Sequence, residues 1–234
     1  MADDFQRYIE KEINGEVFLV KTEEWKKKQI LAQYDTKFAS SGLPPHVKNL
    51  ALSDYIGEDR SIPRKMRKYI AEFETRYKDL HLYFWSPENG TQKTTTASII
   101  GAELLRKGLD VRFILMGELL RILSDFESSE EDKNRKDDLL NCDFLILDDC
   151  FDKKKATIYK SGYQIPFLDI FLRDRLEVQK KATCFTANFS IDNIDEETFG
   201  ISLKNLVKRA VPEPFKFEVL YTDRHNFDPK DLWS

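Results

Sequence analysis

The sequence predicts an α/β protein with a three-layer core, a five-stranded parallel sheet flanked by helices, preceded by a small helical N-terminal region. Three observations carry that prediction. Short apolar runs alternate with amphipathic segments along most of the chain, the pattern of strand–helix–strand units. The first apolar run leads directly into a polar loop that ends in Lys93-Thr94. The third leads directly into Asp148-Asp149.

Residues 1–40 are polar and helix-prone, with one short apolar run, Val17-Phe18-Leu19-Val20. Lys26-Lys27-Lys28 reads first as a solvated helix face. Ser40-Ser41-Gly42-Leu43-Pro44-Pro45 then stops a helix, so the domain boundary is expected there, dividing 1–40 from 41–234. Leu80–Trp85 reads as a buried strand, and Thr94–Lys107 as a helix ended by Gly108. Val111–Leu115 is the second strand and Gly117–Phe126 an amphipathic helix. Phe144–Leu147 is the third strand, Ile165–Val178 a helix with helical apolar spacing, and Thr183–Thr186 the fourth strand. Lys216–Tyr221 is the expected fifth. In such sheets ligands sit at the carboxyl ends of the strands.

Composition sets the outer bounds. The chain has 234 residues, of which 41% are hydrophobic and 33% charged, which fits one large domain, or one domain with a small appendage, and argues against a disordered or collagen-like chain. Lys and Arg total 37 against 41 Asp and Glu, a net charge of −4, so any nucleic-acid contact must be local rather than global. No stretch is apolar enough to span a bilayer, and Met1–Phe5 is acidic without a signal core. Cys142, Cys150 and Cys184 lack C-x-x-C spacing, which suggests reduced thiols. A cytoplasmic protein without membrane attachment is the expectation. Three scattered histidines argue against zinc.

The loop Ser86-Pro87-Glu88-Asn89-Gly90-Thr91-Gln92-Lys93-Thr94 has the parts a phosphate loop needs. These are a Lys for the terminal phosphates, a hydroxyl for magnesium and a helix N-terminus aimed at the anion. The strict pattern asks for Gly where Pro87 and Gln92 stand, and a side chain at Gln92 is expected to crowd the backbone approach to phosphate. From the loop alone, a phosphate site and an ordinary polar turn both remain open. Asp148-Asp149 at the end of a buried strand calls for cations or donors. Magnesium held by Thr94 and Asp148 meets that need, with Asp149 polarising an attacking water. Thr186-Ala187-Asn188 closes the fourth strand, where the Asn amide can bond water or a γ-phosphate. Cys150 is given no chemistry.

Together these residues resemble the DnaC/DnaI-like replicative helicase loaders of the P-loop AAA+ (ASCE) ATPases, particularly the versions carried by bacteriophages. The resemblance runs from about Phe38 to about Arg224. Asn89, Gly90, Thr91, Gln92, Lys93, Thr94 and Thr95 occupy the Walker A position, and Leu145–Asp149 is similar to Walker B. Asn188 matches sensor 1. Ser202–Arg209 looks like the helix of the arginine finger, with Arg209 the best match and Lys208 beside it. Arg224 matches sensor 2, and Arg173 and Arg175 are weaker matches for either arginine role.

The resemblance implies ATP and Mg2+ as cofactors and slow ATP hydrolysis at most, given Gln92. It implies a DnaB-type hexameric helicase bound through residues 1–40, head-to-tail self-association and a grip on single-stranded DNA. Lys107, Arg112 and Arg121 lie near the expected groove, and Lys153-Lys154-Lys155 reads as a solvated loop or a DNA contact. Trp85, Tyr159 and Tyr163 read as core or rim rather than as base-stacking platforms. Three alternatives stand beside the loader. They are a nucleotide-independent helicase-binding adaptor with a degenerate P-loop, an IstB-like transposition ATPase, and a small-molecule kinase, for which no Arg-rich lid is visible.

Overall fold

The structure is a computed structural model, and it describes residues 8–13, 16–124, 129–152 and 164–220. It opens with a β-hairpin, β1 (Tyr8–Ile13) and β2 (Glu16–Lys21), rather than with helix. The strands are antiparallel, in a register that pairs Tyr8 with Lys21 and Ile13 with Glu16. That corrects the helical expectation for this stretch. Asn14-Gly15 stands between two six-residue segments, the second holding the β-branched and aromatic run Val17-Phe18-Leu19-Val20, and an Asn-Gly pair between such runs is a hairpin signal that outweighs average helix propensity.

Helix α1 (Glu23–Ser41) follows, capped by the Thr22 side chain, which accepts from the Trp25 N–H, and opened by Glu23 and Glu24 in its first turn. It ends on Gly42 at φ 77°, in the punctuated segment where the sequence breaks. A Cβ on Gly42 would stand 2.7 Å from the Phe113 carbonyl oxygen, so both conformation and space require glycine there. Tyr34 and Phe38 of α1 are buried in the core.

The main sheet has five strands, all parallel where paired: β3 (Leu82–Trp85), β4 (Val111–Leu115), β5 (Phe144–Asp148), β6 (Ala182–Ala187) and β7 (Lys216–Glu218), in the spatial order β4-β5-β6-β3-β7. The five strands read from sequence are the five observed. Helix α2 (Ser61–Ala71) precedes β3, and between the strands lie α3 (Lys93–Arg106), α4 (Met116–Ser124), α5 (Glu130–Asn141), α6 (Gln164–Arg173) and α7 (Glu196–Ala210). Residues Asp174–Val178 prolong α6 as a π turn.

The central strands β5 and β6 are buried along their whole length, which is why they read as continuous apolar runs. Two hydrophobic clusters cover the two faces. One joins α1, α2 and α3 to Leu82, Phe84, Phe144 and Ile146. The other joins α4, α6 and α7 to Tyr83, Leu145, Leu147 and Phe185. The alternating side chains of one strand thus feed opposite layers. None of the described helices is long and apolar enough to cross a membrane.

Candidate nucleotide-binding site

Strand order positions the site. β6 lies between β3 and β5, so the loop after β3 and the acidic pair ending β5 flank the end of β6. A cavity of about 390 Å³ opens there. Asn89, Gly90, Lys93 and Thr94 line it from the loop side, Asp148, Asp149 and Asp152 from the end of β5 and the turn after it, and Thr186, Ala187 and Asn188 from the end of β6.

Within the loop, φ is positive at Gly90 (78°) and Gln92 (69°) and not at the residue between them. Alternating hands of this kind turn successive N–H groups to one side, the geometry of an anion nest. Gln92 also precedes the first residue of α3, so the helix N-terminus faces the same place. Its φ explains why the strict motif asks for glycine, and a glutamine holds it at a cost of about 1–2 kcal/mol. The side chain of Gln92 is half-buried and is absent from the cavity lining.

Lys93 is 8% exposed. Its ammonium donates to the Glu88 carbonyl at 2.9 Å and to the Thr91 hydroxyl at 3.4 Å, folding back across its own loop. Burial lowers its pKa, and the Asp148 carboxylate opposes that shift. An ammonium held mainly by neutral acceptors gains from an incoming anion.

Asp148, 6% exposed, accepts two hydroxyls on one oxygen: Thr94 Oγ1 at 2.7 Å and Thr186 Oγ1 at 2.5 Å. Thr186 does more than bond Asp148. Its hydroxyl accepts from the Asp149 N–H at 3.0 Å, and its carbonyl accepts from the Cys150 N–H at 2.7 Å. Asp149 (φ 58°) and Phe151 (φ 62°) are left-handed, and the Phe151 N–H donates to the Met116 sulfur at 2.9 Å. Thr186 thus pins a strained turn to β6, two residues before Asn188. Burial pushes the Cys150 thiol well above its ordinary value, which leaves it chemically quiet.

A hydroxyl and a carboxylate 2.7 Å apart are hard oxygen donors of the kind that hold magnesium with waters filling the other positions, so Thr94 and Asp148 fit that ion. The described residues contain no cluster of three or more His, Cys, Asp or Glu side chains arranged around one metal position.

The fold brings Asn89, Gly90, Lys93, Thr94, Asp148, Asp149 and Asn188 to one cavity. Thr91 is buried within the loop, and Thr95 is half-buried in the first turn of α3. Arg209 lies elsewhere, in the last turn of α7, paired with Glu177 at 3.0 Å and 62% exposed. Arg224, Lys153-Lys154-Lys155, Tyr159 and Tyr163 lie outside the described residues.

Arg175 cannot serve a neighbour's nucleotide, because it is wholly buried and donates to Leu139, Leu140, Cys142 and Ala182 carbonyls and to the Thr183 hydroxyl. Arg173 is held by Asp169, Glu177 and Ser202. The expected groove cations are engaged too. Lys107 caps α2 through the Ile70 and Ala71 carbonyls, Arg112 pairs with Asp110 and Asp138, and Arg121 pairs with Asp132.

Sequence reasoning passed over Thr186 and Asp152. Asp152 had a signal, as the third carboxylate within the five residues Asp148–Asp152. Thr186 had none beyond its place two residues before Asn188.

No protein-family model matches the chain. A stretch of 117 residues, 48% of the chain, is 27% identical to the replicative helicase loader DnaC of Escherichia coli K12. That match spans 46% of DnaC, about half its length. Among solved structures, the chain is similar to DnaI (TM-score 0.62, 20% identity, 76% of this chain and 95% of that one). It is also similar to the DnaC helicase loader (TM-score 0.58, 18% identity, 76% and 100%). A third similar structure is the replication initiator DnaA bound to AMPPCP and single-stranded DNA (TM-score 0.59, 13% identity, 78% and 52%). With the strand order and the loop geometry, these likenesses show that the chain has the P-loop AAA+ fold of the DnaC, DnaI and DnaA domains.

Proposed function

We propose that this chain is a replicative helicase loader: an AAA+ module that binds ATP with Mg2+, engages a DnaB-type hexameric helicase and grips single-stranded DNA. The observation that carries the nucleotide part is the 2.7 Å contact of Thr94 with Asp148, which joins the loop to the acidic strand across 54 residues. The 27% identity to DnaC supports the replication part.

In this reading Lys93 and the backbone of residues 89–93 hold the phosphates, and Thr94 and Asp148 hold magnesium, which when bound neutralises phosphate charge. Asp149 orients the attacking water and Asn188 fixes its position. The cavity sets one ammonium against three carboxylates, so a polyphosphate binds poorly unless the divalent cation comes with it. The exposed Arg209 supports a head-to-tail assembly in which a neighbour supplies the missing cation. Residues 1–40 supply the helicase contact, and the exposed apolar side chains Val17, Leu19 and Leu31 support an interface there.

Calorimetry with ATP and ADP, with and without Mg2+, on the wild type and Lys93→Ala tests the reading. The expected outcome is Mg2+-dependent binding that weakens roughly ten- to hundredfold in the variant, as for loss of a charged hydrogen-bond donor. Absence of binding in both proteins would overturn it and leave the nucleotide-independent adaptor, the alternative that the strained glutamine at 92 favours.

A further inference from the structure

Most of the described cations are engaged by carboxylates or carbonyls, and the densest run of those that are not lies on one helix. Helix α2 buries Ile62, Pro63, Met66, Tyr69 and Ile70 and turns Arg64, Lys65, Arg67 and Lys68 outward. Among the described residues none of these four has an ion-pair partner within 4.0 Å. Lys65 lies over the Phe217 ring at 5.3 Å. The nearby Asp59 carboxylate is occupied by Ser61, whose N–H it accepts at 2.8 Å, and Lys65 and Arg64 reach it only as more distant charges. Four like charges on one short helix repel one another in a chain whose net charge is −4, and a polyanion relieves that repulsion while releasing the counterions that otherwise screen it.

We infer that the outward face of α2 binds the phosphodiester backbone of single-stranded nucleic acid. This rests on the nucleic-acid part of the function proposed above and gives it a surface, in place of Lys107, Arg112 and Arg121. Cations three and four residues apart on a helix stand about 5–6 Å from one another, a row that an extended phosphate chain can follow. The face carries no exposed large apolar side chain, and protein interfaces are depleted in lysine and built around apolar anchors. The apolar side of α2 is already buried, so the helix cannot lie in a lipid surface. Beside Arg67 a cavity of about 270 Å³ opens, walled by Ala51, Leu52, Ile70 and Ala71, with Ser53 and Glu103 at its polar side and the Glu103 carboxylate paired with Arg106. An unstacked base has an apolar seat there, and a paired base does not.

The experiment follows the anisotropy of a fluorescent oligothymidylate against salt, for the full chain and for the triple variant Arg64→Gln, Arg67→Gln, Lys68→Gln. Lys65 is kept because it packs on Phe217. All three positions are exposed, and a thermal melt and ATP calorimetry check that fold and cavity are intact. The expected result is a slope of log affinity against log salt shallower by about 2, from three phosphate contacts at roughly 0.7 each. The double variant Arg112→Gln, Arg121→Gln keeps the wild-type slope. An unchanged slope in the triple variant, with a wild type that binds, overturns the inference and leaves the loader reading standing. A wild type that binds no oligonucleotide overturns both. Displacement by polyglutamate as effective as by unlabelled oligonucleotide assigns the face to an acidic protein and overturns it. Equal competition by duplex overturns the single-strand preference.

Discussion

The two ends of the parallel sheet treat charge in opposite ways. At the carboxyl end Lys93, Asp148 and Asp149 meet in an open cavity, and three of the four described non-glycine residues with positive φ, Gln92, Asp149 and Phe151, sit around it. At the amino end Arg175 and His81 are closed in. All five Arg175 donors are used, four on carbonyls and one on Thr183, with no carboxylate as partner. Three of those carbonyls belong to the end of α5 and its cap, where the helix dipole favours a cation. One end has charge ready to change partners and backbone strain to hold it there. The other has charge fully committed and serves as structure.

The sharpest way to break the comparison is to remove a committed cation. Arg175→Met leaves several buried carbonyls without donors, and the expected loss is about 3–5 kcal/mol, as when one partner of a buried charge network is removed. Lys93→Ala, at the other end, is expected to change stability by under about 1 kcal/mol while weakening nucleotide binding. Urea unfolding of the two variants measures both. Equal losses would erase the distinction between the ends.

His81 gives the next largest effect, and it depends on pH. Its Nδ1 accepts the Thr183 N–H at 3.2 Å, and burial, helped by the nearby Arg175, lowers its pKa from 6.5 to about 4. The folded imidazole therefore stays neutral while the unfolded one takes up a proton below its ordinary value. The unfolded chain binds more protons in that window, so stability falls as pH drops from about 6.5 towards about 4. The full contribution is on the order of 3 kcal/mol. His81→Asn keeps an acceptor and loses the titration. Its stability should be flatter than that of the wild type across the window, and parallel curves would remove His81 from the account.

At the ready end, Thr186 is a positioning residue. Thr186→Val deletes one bond to Asp148 and the acceptor of the Asp149 N–H but keeps the shape. Under the ATPase reading, turnover is expected to fall roughly tenfold, with nucleotide affinity nearly unchanged, as for one hydroxyl bonded to a charged group. Thr186→Ser should restore it. A loss of affinity that matches the loss of turnover would mean that Thr186 shapes the cavity instead of aligning the turn.

Legibility in the sequence follows the same division. The five strands were readable because a buried parallel strand must be a continuous apolar run, and the observed ends differ by a residue or two, or by three at the end of β7. The loop and the acidic pair were readable because their chemistry needs particular residue types at strand ends. Helix α5 was not readable, since Glu130–Asn141 is almost wholly polar and rests on the core through Leu139 alone among its fully buried side chains. Arg175 resembled a functional arginine because sequence does not distinguish a buried guanidinium from an exposed one. Thr186 was invisible because its role depends on which strand lies beside β5.

Gln92 yields the smallest expected change and the finest test of the strained end. Its φ of 69° is ordinary for glycine and costs a glutamine about 1–2 kcal/mol. Gln92→Gly removes that cost but gives the unfolded chain about 0.4–1 kcal/mol more conformational entropy. The net gain in stability is expected to be about 0.5–1 kcal/mol. Because the glutamine side chain is absent from the cavity lining, nucleotide affinity should move by no more than about threefold, within that same free energy. Gln92→Ala separates the contributions, since it removes the side chain without relieving φ. If Gln92→Ala matched Gln92→Gly in stability and both raised affinity well beyond that bound, crowding rather than strain would be what the glutamine imposes on the loop.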